Sequence, residues 1–140
     1  MNGLFEGCID LISIDLSKLD TSKVTDISYM FSDCSNLEKI KFGNIKKSPI
    51  KKMSYLFQNC EKLTSIELSQ FFNEKVIDIS GMFSGCKNLK VYNFENINTS
   101  HVQNMRNLFS GCINLTSIDI SKLGTSQVTD ISYMFSGCSN

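Results

Sequence analysis

The chain has few of the residues on which catalysis and metal binding usually depend. Its 140 residues include one histidine, His101, and no Cys-x-x-Cys pair, so the sequence gives little support for a zinc site. A single histidine at a polar turn position is also a poor base for a serine or cysteine nucleophile. No glycine-rich phosphate loop occurs. We therefore predict a protein that is not an enzyme and that needs no cofactor or metal.

Long apolar runs and an excess of one charge are also missing. No run approaches ~18 apolar residues, so we expect no membrane insertion. Fourteen basic and fourteen acidic side chains cancel, which argues against nucleic acid as a partner.

What the sequence does contain is a repeat. Its six cysteines stand 26 residues apart, and each follows a phenylalanine by three residues. A fixed period of this length predicts a solenoid of stacked, equivalent coils. We expect residues 1–140 to form a single solenoid fragment, part of a longer array. Its five coils are predicted at 8–33, 34–59, 60–85, 86–111 and 112–137.

Alternating residues predict the structure within a coil. Ile14 and Leu16 flank Asp15, which indicates a strand over residues 12–17 with Ser13 and Asp15 pointing outward. Residues 23–27 form a second extended segment. Ser28 then precedes three apolar residues, as an N-cap would. The fold class predicted is a repeat solenoid, mainly short β-strands with one helical or 3-10 turn per 26-residue coil.

Two columns of equivalent residues carry sharper predictions. The position before each cysteine holds only Gly, Asp or Asn, so we expect a positive φ there in every coil. Equivalent residues of stacked coils lie ~4.8 Å apart with nearly parallel side chains, which suits a disulfide poorly. We favour a column of buried thiols over disulfides, and the sequence leaves the redox compartment open.

The pattern Leu-x-x-Ile-x-Leu-Ser-x-Leu-x-Thr-Ser-x-Val-Thr-x-Ile-x-x-Met-Phe-x-Gly-Cys is best seen in residues 115–138 and 11–34. It resembles the 26-residue repeat of bacterial surface proteins, the BspA-like leucine-rich repeats. The resemblance covers essentially the whole chain and implies a leucine-rich-repeat solenoid. It further implies a cell-surface or extracellular location and a role in adhesion or host interaction. The second and third coils depart most from the pattern.

The second coil carries a basic band between acidic neighbours. One interpretation is charge pairing between adjacent coils, which contributes little stability at an exposed site. The other is attraction of an anionic glycan or lipid surface. The band consists of Lys39, Lys41, Lys46, Lys47, Lys51 and Lys52.

Three apolar residues interrupt outward columns that are otherwise mostly polar or small. Phe72, Ile77 and Val91 are either scattered exposed residues, which are common, or markers of a contact patch on the third coil. Such a patch would be centred on Phe72 and Ile77. In that case Phe72→Ala would remove partner binding without changing the melting temperature, whereas a large loss of stability would place Phe72 in the core.

Together these patterns predict a module that recognises protein or glycan partners at a cell surface. The alternative is a structural spacer or an intracellular repeat scaffold without a ligand of its own. We also expect Phe5 and Phe135 to be partly uncovered at the two ends, which would favour end-to-end self-association.

Overall fold

The fold is a stack of equivalent coils with short strands along one side. A computed structural model describes residues 1–43 and 48–139. Parallel pairing joins β1 to β2 and β3 to β4, with Ile14 opposite Ile40 and Tyr92 opposite Ile118. Both registers are 26 residues, so successive coils lie directly over one another. The strands are β1 (Ser13–Leu16), β2 (Lys39–Phe42), β3 (Val91–Asn93) and β4 (Ser117–Asp119).

The strand predicted over residues 12–17 is confirmed as β1, one residue shorter at each end. Ser13 and Asp15 are exposed, whereas Ile14 and Leu16 are half-buried. The second extended segment is reduced to single-residue bridges, which run from Asp26 through all five coils to Asp130. In the third coil, residues 63–68 form no strand, and a 3-10 helix, Ser69–Phe71, follows them.

Residues 27–34 and their equivalents in the other coils form what we call the turn spine. Its amides alternate between two acceptors. The Phe31 amide donates to the Leu56 carbonyl of the next coil at 3.0 Å, whereas the Ser32 amide donates back to the Tyr29 carbonyl at 3.0 Å. The same alternation recurs in the second, third and fourth coils. Neighbouring coils are therefore joined by a continuous backbone ladder at this edge.

The helical or 3-10 turn predicted at Ser28 is wrong. A helix would use successive amides internally, whereas here every second amide bonds to the next coil. Tyr29 also has a φ of 57°, which ends any right-handed helical run. Ser28 is buried, and its hydroxyl accepts a hydrogen bond from Ser54 Oγ at 2.9 Å. This serine pair thus joins the first and second coils through their side chains.

Stacked phenylalanines fill the interior behind the turn spine. Successive rings of Phe31, Phe57, Phe83 and Phe109 lie 5.8, 5.9 and 5.5 Å apart and nearly parallel. All four side chains are fully or almost fully buried. Offset stacking at these distances adds to the free energy gained by removing the rings from water.

The cysteines form the buried thiol column that the sequence predicts. All six are free, and the four inner ones are completely buried. Each thiol from Cys34 onward donates to the carbonyl of the phenylalanine 29 residues earlier, at 3.1 to 3.2 Å. Burial raises the pKa of Cys34 to about 11 and that of Cys112 to about 12. The inner thiols are therefore neutral groups of the core at physiological pH.

The left-handed backbone predicted before each cysteine is also confirmed. The φ angle is 61° at Asp33, 54° at Asn59 and 73° at Gly85. These residues turn the chain from the spine toward the next strand. Only residue types that tolerate this conformation fit the column.

The two ends of the stack expose apolar side chains. Leu4 is 50% exposed, Phe135 is 39% exposed, and Phe5 is half-buried. Among the described residues, no helix has both the length and the apolar character needed to span a membrane.

Candidate interaction surface

The described lysines of the basic band lie on two separate segments of the second coil. Lys39 and Lys41 are exposed on β2, whereas Lys51 and Lys52 are exposed where Lys52 forms a single-residue bridge. Lys46 and Lys47 lie outside the described residues. The structure therefore brings together Lys39 with Lys41 and Lys51 with Lys52.

Charge pairing accounts for one of the four described lysines of the band. Lys41 Nζ lies 2.9 Å from Asp15 Oδ2. Within residues 1–43 and 48–139, Lys39, Lys51 and Lys52 form no ion pair. Since both partners of the Lys41 pair are largely exposed, the pair contributes little to stability.

The acidic residues beside the lysines hold turns. Asp15 Oδ1 accepts the Ser17 amide at 2.8 Å, and Asp26 Oδ1 accepts the Ser28 amide at 2.8 Å. Hydrogen bonds from Ser17, with a further one from Lys41, lower the pKa of Asp15 to about 2. Sequence reasoning assigned these carboxylates to charge pairing and missed this role. The recurring Asp-x-Ser spacing is the signal that could have shown it.

The three outlying apolar residues lie in different environments. Phe72 is half-buried and packs against the core. Ile77 is half-buried, and its amide donates to the Lys51 carbonyl at 2.9 Å. Val91, by contrast, is 57% exposed on β3. Of the three, Val91 is the one that a partner could contact over most of its side chain.

Val91 borders a cleft of about 190 Å³ between the third and fourth coils. The cleft lies where the strand ladder is interrupted, since residues 65–68 pair with neither β2 nor β3. Buried or half-buried side chains form its floor, namely Ile66, Leu68, Tyr92 and Ile97. Exposed side chains form its rim, namely Ser65, Glu67, Val91, Asn93 and Glu95.

The interruption leaves backbone groups without partners. In the part of the chain that the structure describes, the amides of Ser65, Ile66 and Glu67 donate to no backbone carbonyl. Exposure of a short strand segment lets water satisfy these amides. A ligand in the cleft could satisfy them equally well.

Tyr92 is the unusual residue of the floor. It occupies a column that holds isoleucine in the other four coils, as Ile14, Ile40, Ile66 and Ile118. Its ring packs against Phe83 at 4.8 Å and against Phe94 at 5.2 Å. Alternation along the strand predicts an inward side chain at this position, and it does not predict the cleft. Tyrosine in an isoleucine column was the available signal, because its hydroxyl needs a polar partner or access to water.

The rim of the cleft is acidic. Glu67 and Glu95 lie on it, and no lysine or arginine lines the cleft. Glu67 Oε1 accepts the Ser69 amide at 2.7 Å, and hydrogen bonding to Ser69 lowers the pKa of Glu67. Glu67 is therefore charged at neutral pH. No group of three or more His, Cys, Asp or Glu side chains within the described ranges could hold a metal ion.

One protein-family model matches the chain. The model of the family described as "Mycoplasma protein of unknown function, DUF285" matches residues 1–91 and 51–140, which together cover the whole chain. The chain belongs to this family. No curated protein gives a significant match.

Two solved structures show the fold. The chain resembles a leucine-rich repeat protein from Bacteroides ovatus, with 24% identity and a TM-score of 0.68, over 99% of this chain and 32% of the other. It also resembles the T. pallidum leucine-rich repeat protein TpLRR, with 19% identity and a TM-score of 0.58, over 94% of this chain and 61% of the other. The chain thus has a leucine-rich-repeat fold and spans less than two thirds of either structure.

Proposed function

We propose that this solenoid is a recognition module at a cell surface, which binds a protein or glycan partner through its strand side. The observation that carries the proposal is the cleft between the third and fourth coils. It combines a buried floor, an exposed polar rim and the exposed side chain of Val91. A concave site with an apolar base and a few polar groups is the usual form of a binding site.

Two further features support the strand side. Lys39 is exposed on β2 without an ion-pair partner among the described residues, and the unpaired amides of the third coil face the same ladder gap. Groups that are bonded only to water can exchange those hydrogen bonds for bonds to a ligand. The resemblance of the repeat motif supports the surface location and the BspA-like affiliation, and both are part of this proposal.

A binding screen with matched variants tests the proposal. The immobilised chain is probed with a glycan array and with a panel of extracellular proteins, and each hit is measured again with Val91→Lys and Gln103→Lys. Both positions are exposed in the fourth coil, but only Val91 borders the cleft. We expect Val91→Lys to weaken binding about tenfold or more and Gln103→Lys to leave it unchanged.

Two results would contradict the proposal. The absence of any selective partner would favour the structural spacer, and equal effects of the two substitutions would place the contact elsewhere. Antibody labelling of intact cells tests the location, since labelling only after permeabilisation would contradict a cell-surface position.

A further inference from the structure

A tyrosine with an unpartnered hydroxyl lines the cleft between the third and fourth coils. Tyr92 is only 6% exposed, and among the described residues its hydroxyl forms no hydrogen bond. Every fully enclosed polar side-chain atom there has a partner, so the Tyr92 hydroxyl is accessible to solvent.

Packing against other aromatic rings holds the Tyr92 side chain in place. The Tyr92 ring lies 4.8 Å from Phe83, 5.2 Å from Phe94 and 5.7 Å from Phe109, so it is held by aromatic rings from its own and neighbouring coils. The Glu67 side chain lines the same cleft as Tyr92. Desolvation raises the pKa of Tyr92, and the charge of Glu67 adds to that shift.

No basic side chain among the described residues pairs with the two acidic side chains of the cleft. Neither Glu67 nor Glu95 forms an ion pair there. Lys41, which precedes Glu67 by 26 residues in the outward row, instead pairs with Asp15 at 2.9 Å. The cleft therefore offers two carboxylates and one hydroxyl to an incoming cation with several hydrogen-bond donors.

The shape of the cleft selects among cations. Ile66 and Ile97 contribute a small apolar area to an otherwise mainly polar cleft, and an aliphatic stem can lie against that area. A volume of about 190 Å³ exceeds what a bare inorganic ion fills. A guanidinium group presents five donors in a planar fork and can engage a carboxylate and a second acceptor together. Arginine is also enriched at the centres of protein interfaces.

We propose that this cleft receives an arginine side chain of a partner protein, whose guanidinium donates to the Glu67 carboxylate and to Tyr92 Oη. Glu95 and Asn93 supply further acceptors at the rim, and the methylene stem lies on the floor. The inference rests on the proposed recognition function and narrows it to a partner protein that exposes arginine.

The test is a titration of the isotope-labelled full chain followed by NMR. The probe is N-acetyl-arginine amide, and its citrulline and lysine counterparts are compared with it. Citrulline keeps the shape of arginine but lacks the charge. We expect saturable shifts for the arginine probe at residues 65–68 and 91–95, weaker binding of lysine, and none of citrulline.

Three variants locate the contact. Tyr92→Phe removes the hydroxyl and keeps the ring packing, Glu67→Gln removes the charge, and Glu74→Gln is the control, an exposed acid of the same coil outside the cleft. We expect the first two to weaken arginine binding about tenfold or more, with no effect of the control. Chemical shifts away from the cleft verify that each variant keeps the fold.

Several outcomes would overturn the assignment. They are citrulline or lysine binding as tightly as arginine, Tyr92→Phe and Glu67→Gln binding like the parent chain, or an absence of saturable shifts at the cleft. None of these would contradict the recognition function itself, because the Val91→Lys screen tests that separately with whole partners. A partner captured in that screen without arginine at its contact would leave recognition standing and refute this inference alone.

Discussion

The third coil contains both the most regular and the least regular parts of the molecule. In its turn spine, Phe83 and Gly85 donate their amides to the fourth coil at 3.0 and 2.7 Å. On its strand side, Ser65 and Ile66 donate to no described backbone carbonyl, and a cleft opens toward the fourth coil. The same pair of coils is thus joined tightly at one edge and loosely at the other.

The difference shows that the repeat holds the coils together at one edge and leaves the other edge free to vary. In the turn spine, main-chain hydrogen bonds join the coils, and the interior side chains are phenylalanine and cysteine in every coil. On the strand side, the inward residue changes from isoleucine to tyrosine at Tyr92. Because the spine already holds the coils together, the strand side can vary without loss of the fold. The three predictions below test this division.

The largest expected effect is a loss of stability in alkali, which acts through the spine. Burial raises the pKa of the four inner thiols, whereas in the unfolded chain they ionise near pH 9. The stabilisation that the neutral buried thiols contribute is therefore complete below pH 9. It decreases as pH rises toward their pKa values in the folded chain. Each thiol lowers the free energy of unfolding by ~1.4 kcal/mol per pH unit above pH 9. The four thiols together therefore lower it by about 5 kcal/mol by pH 10.

Denaturant unfolding between pH 7 and 10 measures this dependence. Cys60→Ala removes one of the four ionising groups, so we expect about one quarter of the alkaline loss to disappear in that variant. An unfolding free energy that stays constant up to pH 10 would show that the thiols are accessible to water in the folded chain.

The second prediction compares two positions of one spine column. Phe57→Ala removes a fully buried ring stacked between Phe31 and Phe83, and we expect it to lower the free energy of unfolding by about 3–5 kcal/mol. Phe135→Ala is the matched control, because that ring is 39% exposed and stacks on Phe109 alone. Its cost should be about half as large. Urea unfolding measures both variants. If the two substitutions lower the free energy of unfolding equally, the spine is not packed most tightly in its middle coils.

The sequence predicted the parts of the fold that repeat. The period placed equivalent residues in register, and the column of Gly, Asp and Asn before each cysteine predicted the left-handed backbone found at Asp33 and Asn59. The prediction of a helical turn at Ser28 was wrong because one sequence does not distinguish an N-cap serine from a buried serine that hydrogen-bonds to the next coil. What distinguishes them is the acceptor of each backbone amide, and that acceptor lies in the next coil.

The candidate site was predicted only in part. Val91 was recognised as an apolar residue in a polar column, and Phe72 was too, although it packs against the core. The cleft itself could not be derived, because it results from strand pairing that fails between the third coil and both of its neighbours. Pattern reasoning assumes that every coil repeats the last. It therefore misses a site formed where one coil departs.

The third prediction involves the smallest free-energy difference and compares the two edges of the third coil directly. Hydrogen exchange of the third coil should be fast at Ile66, whose amide has no backbone acceptor among the described residues, and slow at Phe83, whose amide is bonded to Leu108 at 3.0 Å. Exchange of Phe83 requires separation of the coils, whereas Ile66 needs no such opening. We expect rates that differ on the order of 100-fold or more.

NMR exchange measures both amides in one sample, with Phe57 of the second coil as an internal control for the spine. Comparable protection of Ile66 and Phe83 would mean that the strand ladder is intact in solution. The cleft would then be closed, and recognition through it would have to be abandoned.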